Sequence, residues 1–136
     1  MKNLRRNDLA KADYEALSNF RYRLRCFERF SENAAQAAGI TPLQYFLLLH
    51  VRGFVGRDWA NIGELAERLQ AQPHGVVALV SRCEAAGLLE RRTSRHDRRS
   101  VEVHLLPKGG RIVARLADQH RAEIELLKNT FPMIER

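Results

Sequence analysis

Residues 87–106 read GLLERRTSRHDRRSVEVHLL, and the way this stretch folds decides how the rest of the chain is organised. Arg91, Arg92, Arg95, Arg98 and Arg99 fall close together, with Asp97 the one acid among them. Strict alternation follows: Val101, Val103 and Leu105 are apolar, Glu102 and His104 polar, as in a half-buried strand. Leu88 to Thr93 reads as the strand before it. The polar segment 94–100 then becomes the tip of a β-hairpin.

Working upstream, Asn61 and Glu64 have capping-box spacing, and Ile62, Leu65, Ala66 and Leu69 make a short amphipathic helix. After a tight turn, Pro73 opens a second helix with Val76, Leu79, Val80 and Cys83 facing inward. Gly87 sits where a left-handed cap belongs. Two short helices joined by a tight turn are the ingredients of a helix-turn-helix. Followed by the hairpin, they predict a winged helix with the arginine loop as the tip of the wing.

That placement points to nucleic acid. A duplex carries about one negative charge per 1.7 Å of axis, so a cationic loop gains by displacing counterions there. Arginine also enters narrow minor grooves, where the negative potential is strongest. Arg95, Arg98 and Arg99 are therefore candidate DNA contacts. Asp97 is read as an acceptor for a neighbouring arginine that sets the loop's shape. The second helix of the motif would lie in the major groove. Its outward residues are Gln72, His74, Ala78 and Ser81, with Val77 and Arg82 on the flanks. Val77 and Ala78 can meet thymine methyls, while His74 and Gln72 can reach base edges or phosphates. This set is thin in hydrogen-bonding groups, which shifts the expected affinity toward phosphate contacts and DNA shape. Arg82 fits either a DNA contact or a brace to Asp97, with the brace preferred.

The flanks read as helices. Residues 13–38 carry two apolar stripes: Leu17, Phe20, Leu24, Phe27 and Ala34 on one side, and Tyr22, Cys26, Phe30 and Ala37 nearly opposite. A helix apolar on two sides wants two partners, its own domain and another subunit. Thr41, Pro42 and Gln44 start a helix that runs to about Val51. Pro107 starts a final helix with Ile112, Leu116, His120, Ile124 and Leu127 on one face, and Pro132 ends it. The expected fold is mostly α with a small β-hairpin wing, in a single domain of 136 residues. Its winged helix-turn-helix lobe spans residues 41–106, and residues 8–38 and 107–136 form a helical dimerisation region.

Bulk properties agree with a nucleic-acid partner. The net charge of +7 favours polyanions, and here the charge is clustered. Two cysteines are too few for a disulfide framework, which makes a reducing cytoplasm the default. The first residues lack the apolar run of a signal peptide, and the apolar stretch 43–51 falls far short of the roughly 20 residues that span a bilayer. The five histidines show no metal-ligand spacing, and no Gly-rich phosphate loop is present, so no metal or cofactor is expected. Without a constellation of acid, base and nucleophile, an enzyme is not expected either.

The stretches GITPLQYFLLLHV (39–51), IGELAERL (62–69), LVSRCEAAGLLERR (79–92) and RHDRRSVEVHLLPKGG (95–110) together resemble the MarR family of winged-helix transcriptional regulators. The resemblance covers about residues 39–116. Its most specific part is Asp97-Arg98-Arg99, then the alternating strand and the Lys108-Gly109 turn. It implies a homodimer with interleaved terminal helices. It also implies binding to pseudopalindromic operators on double-stranded DNA, usually as a repressor, and release by small phenolic or aromatic-acid ligands or by thiol oxidation. Gly75, Val77 and Ala78 stand where family members place Ser, Thr or Arg, and Leu106 replaces a threonine cap. The alternative class is a winged-helix module that binds nucleic acid or protein without operator specificity.

Two effector routes follow. Cys26 has Arg23 and Arg29 three residues away on either side, and cationic neighbours lower a thiol's pKa, which makes it the candidate redox residue. Its place on an apolar stripe has the plainer explanation of a small packed side chain. A ligand pocket between the first helix and the lobe would be lined by Phe20, Phe27, Tyr45, Phe46 and His50, with Arg21 or Arg23 to meet a carboxylate.

Overall fold

A computed structural model describes residues 8–130. The helices are α1 (Lys11–Ala37), α2 (Pro42–Arg52), α3 (Ile62–Leu69), α4 (Pro73–Ala85), α5 (Pro107–Gln119) and α6 (Arg121–Thr130). The strands are β1 (Trp59–Asn61), β2 (Leu89–Thr93) and β3 (Val101–Leu105), in an antiparallel sheet ordered β1-β3-β2. The chain is thus mostly helical, with a winged helix at its centre.

Local chemistry sets the boundaries. At α2 the Gln44 amide donates to Thr41 Oγ1 (3.1 Å), and the Thr41 amide donates to Gln44 Oε1 (2.9 Å). At α3, Asn61 and Glu64 make the same reciprocal pair at 2.8 and 3.0 Å. Each cap satisfies amides that the first helical turn leaves without partners, worth about 1 kcal/mol. Gly87, at φ 74°, closes α4 and lets the Leu88 amide reach the Cys83 carbonyl at 3.0 Å. The chain thereby turns straight from α4 into β2.

The core is built on α2, which packs against α1, α3, α4 and α5. Leu47, Leu48 and Val51 of α2 meet Leu65, Val76, Val80, Cys83, Leu89, Val103, Val113 and Leu116, all buried. Burial pushes the Cys83 thiol up to about 11. The entry to α5 is tied to the start of β2. The Leu106 amide donates to the Leu88 carbonyl (3.0 Å), Lys108 Nζ donates to the Ala86 carbonyl (2.9 Å), and a Cβ at Gly109 would overlap the Leu88 carbonyl. The Lys108-Gly109 pair therefore has a structural reason: close approach demands the glycine.

Three features differ from the sequence reading. Strand β1 extends the hairpin to three strands, with Trp59 opposite His104 and Asn61 opposite Glu102. The expected single C-terminal helix is two, parted at His120. At the break the buried His120 donates from Nδ1 to the Leu116 carbonyl at 2.5 Å, where its own backbone amide also bonds at 3.2 Å. Pro132, expected to end the helix, lies outside the described residues. In α1, Phe20, Leu24, Phe27 and Ala34 are half-buried, but Leu17, on the same expected stripe, is 56% exposed. On the second stripe Tyr22 is 68% exposed and Cys26 is exposed. Among the described residues, no helix is long and apolar enough to cross a membrane.

Candidate nucleic-acid interface

Burial splits α4 cleanly. Val76, Leu79, Val80 and Cys83 face the core, while Gln72, His74, Val77, Ala78, Ser81 and Arg82 are exposed. The turn into α4 carries Gln70 in the left-handed region at φ 52°, steadied by its own Nε2 donating to the Glu67 carbonyl at 2.7 Å. Polar side chains at such a position can bond their neighbours locally, which offsets part of the strain.

The wing tip is shaped by two small side chains. Ser94 Oγ accepts from the amides of His96 (3.2 Å) and Asp97 (3.3 Å). Asp97 Oδ1 accepts from the Arg99 amide at 2.9 Å, and the Asp97 carbonyl accepts from the Ser100 amide at 3.0 Å. The hairpin is closed by the Ser94 amide on the Ser100 carbonyl, also 3.0 Å. Asp97 thus holds backbone, where a neighbouring guanidinium was expected as its partner. Arg95, Arg98 and Arg99 are exposed, and no ion pair within the described residues engages them.

The first two arginines of the stretch behave differently. Arg92 pairs with Glu90 at 2.6 Å. Arg91 bonds Glu84 through both backbone and side chain (3.0 and 2.8 Å), and its Nη2 reaches Ser81 Oγ at 2.7 Å and the Val77 carbonyl at 3.2 Å. Counting five arginines toward the phosphates therefore overstates the free charge. Ser81, proposed to face DNA, already accepts a bond from the wing. The Arg82–Asp97 brace is absent too: the Asp97 carboxylate is used by the loop's own backbone, and Arg91 with Glu84 joins α4 to the hairpin instead.

Of the candidate effector residues, Phe27 and Tyr45 gather around the buried His120. Tyr45 stacks on His120 (centroids 5.5 Å apart), and the Phe27 and Phe30 rings meet the same imidazole edge-on at 6.0 and 4.9 Å. His120 Nε2 lies 2.9 Å from Ser31 Oγ. Because Nδ1 must carry a proton for the Leu116 carbonyl, the neutral ring accepts the serine hydroxyl at Nε2. Phe46 abuts Tyr45, with centroids 5.7 Å apart. His50 is half-buried at the far end of α2, where burial and then the Arg68 charge lower its pKa. Arg23 is exposed, and Arg21 lies over Phe20 at 5.9 Å. The sequence reading placed His120 on an apolar helix face but missed its polar partner, Ser31, 89 positions away. The Tyr22 hydroxyl is raised in pKa by its hydrogen bond to the exposed Cys26 thiol. Among the described residues, no group of His, Cys, Asp or Glu could hold a metal ion.

Residues 38–100, which contain the helix-turn-helix, the hairpin and the structured Asp97 loop, match the family model described as "MarR family". Residues 38–100, a little under half of the chain, therefore resemble the MarR family. The chain is 30% identical over 71 residues to the HTH-type transcriptional repressor MdtR of Bacillus subtilis, covering 52% of this chain and 44% of that protein. It is 32% identical over 84 residues to YsmB, an uncharacterized HTH-type transcriptional regulator of Bacillus subtilis, covering 57% of this chain and 56% of the relative. The chain spans about half the length of the curated relatives it matches. Among solved structures, AbsC, a MarR family transcriptional regulator from Streptomyces coelicolor, superposes with a TM-score of 0.73 at 20% identity, covering 95% and 96% of the two chains. A mutant MarR from E. coli complexed with operator DNA superposes at 0.66 with 21% identity, covering 90% and 87%. Likeness at these identities shows that the MarR winged-helix fold is shared.

Proposed function

We propose that this protein is a DNA-binding transcriptional regulator of the MarR family, acting in the cytoplasm as a homodimer on a pseudopalindromic operator. The observation that carries the reading is the wing. Three arginines whose side chains make no ion pair among the described residues stand on a loop ordered by Ser94 and Asp97, beside an exposed α4 face. Such a tip neutralises phosphates or enters a minor groove while α4 meets the major groove. Gln72, His74, Val77, Ala78 and Arg82 supply the base-facing set. The repressor named among the relatives, and the MarR complexed with operator DNA, support the same direction.

Dimerisation is supported by the apolar side chains that the single chain leaves uncovered on and beside α1. Leu9, Tyr14, Leu17 and Tyr22 are each more than half exposed, apolar surface around the start of α1 that a second copy would cover. Repression, and release by an aromatic acid or by oxidation at Cys26, complete the proposal. Cys26 is exposed and so open to oxidants, whereas Cys83 is buried with a raised pKa and inert. A cleft of about 550 Å³ lined by Arg52, Asp58, Arg92, His104 and Arg111, in which Arg52 pairs with Asp58 and Arg92 with Glu90, offers Arg111 as an alternative partner for a carboxylate.

The apolar centre of the α4 face, Val77 and Ala78, favours a second reading: nucleic-acid binding without operator specificity. Selection of duplexes from a random pool separates the two. A regulator enriches a pseudopalindrome bound by two copies. A steep salt dependence with no enriched sequence defeats it and leaves the non-specific module. For the thiol route, a Cys26→Ser variant should hold DNA under peroxide; a variant that still releases it removes Cys26 from the proposal.

A further inference from the structure

We propose that Arg91 is a positioning residue: it sets the recognition helix against the wing, and so tunes base readout, without touching DNA. The inference rests on the DNA-binding reading above. Arg91 sits on β2 two pairs from the base of the hairpin, opposite Val103, on the same sheet face as the buried Leu89. That face looks toward α4. Its guanidinium meets three acceptors on three successive turns of the exposed flank of α4: the Val77 carbonyl, Ser81 Oγ and Glu84 Oε1. The second Glu84 oxygen accepts the Arg91 backbone amide, so the carboxylate grips strand and side chain together. A planar fork with fixed donor directions fits this arrangement, and a single ammonium cannot.

The consequence concerns geometry. Val77 is among the residues that would face the bases, and its carbonyl is held by Arg91. Rotation or sliding of α4 relative to the hairpin would break at least two of these bonds. Helix and wing therefore approach a duplex as one body, with the spacing between Val77–Ala78 and the tip arginines already fixed. Pre-set geometry of this kind adds to the affinity of the correct site and gives little to binding of any duplex. Ser81, with its hydroxyl committed to Arg91, belongs to the same brace.

The test compares Arg91→Ala and Arg91→Lys with the unmodified protein on a duplex enriched by selection and on its scrambled counterpart, across a salt series. Both variants should lose about tenfold in discrimination between the two duplexes, the scale of one charge-assisted hydrogen-bond set. Binding to the scrambled duplex and its salt slope should stay unchanged. Amide hydrogen exchange without DNA should rise in both variants across residues 77–81 while α3 keeps its protection. A salt slope shallower by about one on both duplexes would make Arg91 a phosphate contact and overturn the proposal. Restoration of discrimination by lysine would show that charge alone suffices, which also overturns it. Unchanged exchange in α4 does the same. The exchange measurement needs no DNA, so it decides the role of Arg91 even if no sequence is enriched, the outcome that defeats the DNA-binding reading itself.

Discussion

The base and the tip of the wing are built from the same residue type and do opposite things. At the base, Arg91 and Arg92 are paired with Glu84 and Glu90, and the strand they occupy is clamped to α5 through Leu88. At the tip, Arg95, Arg98 and Arg99 have no such carboxylates among the described residues, and the one acid there, Asp97, spends its side chain on the Arg99 amide. Charge counted along a sequence is therefore not charge available to a partner. What separates the two groups is which carboxylates the fold brings within reach. Base substitutions should read out in stability and geometry, and tip substitutions in binding.

The largest expected effect is at the base. Gly109→Ala places a Cβ on the Leu88 carbonyl, with backbone on both sides of the contact, so it should cost about 3 kcal/mol of folding stability. Thermal unfolding would show this as a drop in Tm of roughly 10 °C. A Tm unchanged by the substitution would mean that α5 does not approach β2 this closely. Next comes the tip. Arg98→Ala and Arg99→Ala should each weaken DNA binding about tenfold at moderate salt with no change in Tm, measured by fluorescence anisotropy beside a melting curve. If either variant loses stability in place of affinity, the division between tip and base fails. Asp97→Ala should have a smaller effect, a loss of about fivefold in affinity with the salt slope intact, because it loosens the loop and removes no cation. A gain in affinity would show that the acid only opposes the phosphates. The smallest effect belongs to Arg92→Ala, whose charge is already offset by Glu90 at 2.6 Å. It should change affinity by less than about twofold.

Much of this division was hidden in the sequence, for identifiable reasons. Elements whose signals are local were legible: the reciprocal caps at Thr41–Gln44 and Asn61–Glu64, the glycine turn at Gly87, and the alternation of Val101 to Leu105. The winged helix follows from their order alone. Strand β1 was missed because three residues are too short to show alternation, and its pairing with β3 is made across more than forty positions. The burial of His120 against Ser31 and three aromatic rings belongs to a packing neighbourhood that periodicity cannot see. At the interface, the exposed face of α4 and the tip loop were legible from helical spacing and turn residues. The capture of Arg91 by Glu84 and Ser81 was not, since it requires knowing how the hairpin docks on α4. The aromatic residues expected to line a pocket between α1 and the lobe carry a related ambiguity. Aromatic residues at helical spacing look alike whether they line a cavity or, like Tyr45 and Phe27, close around one buried imidazole.

The central claim is that the tip arginines are the wing's contact with DNA phosphate while the base arginines belong to the fold. It is tested most directly by the salt dependence of DNA binding for a variant carrying Arg95→Ala, Arg98→Ala and Arg99→Ala. Removing one phosphate-neutralising arginine should reduce the slope of log K against log salt by about 0.9, so a slope shallower by between two and three (roughly) is expected for the triple variant, with Tm unchanged. A slope equal to that of the unmodified protein would contradict the claim and place the phosphate contacts elsewhere on the molecule.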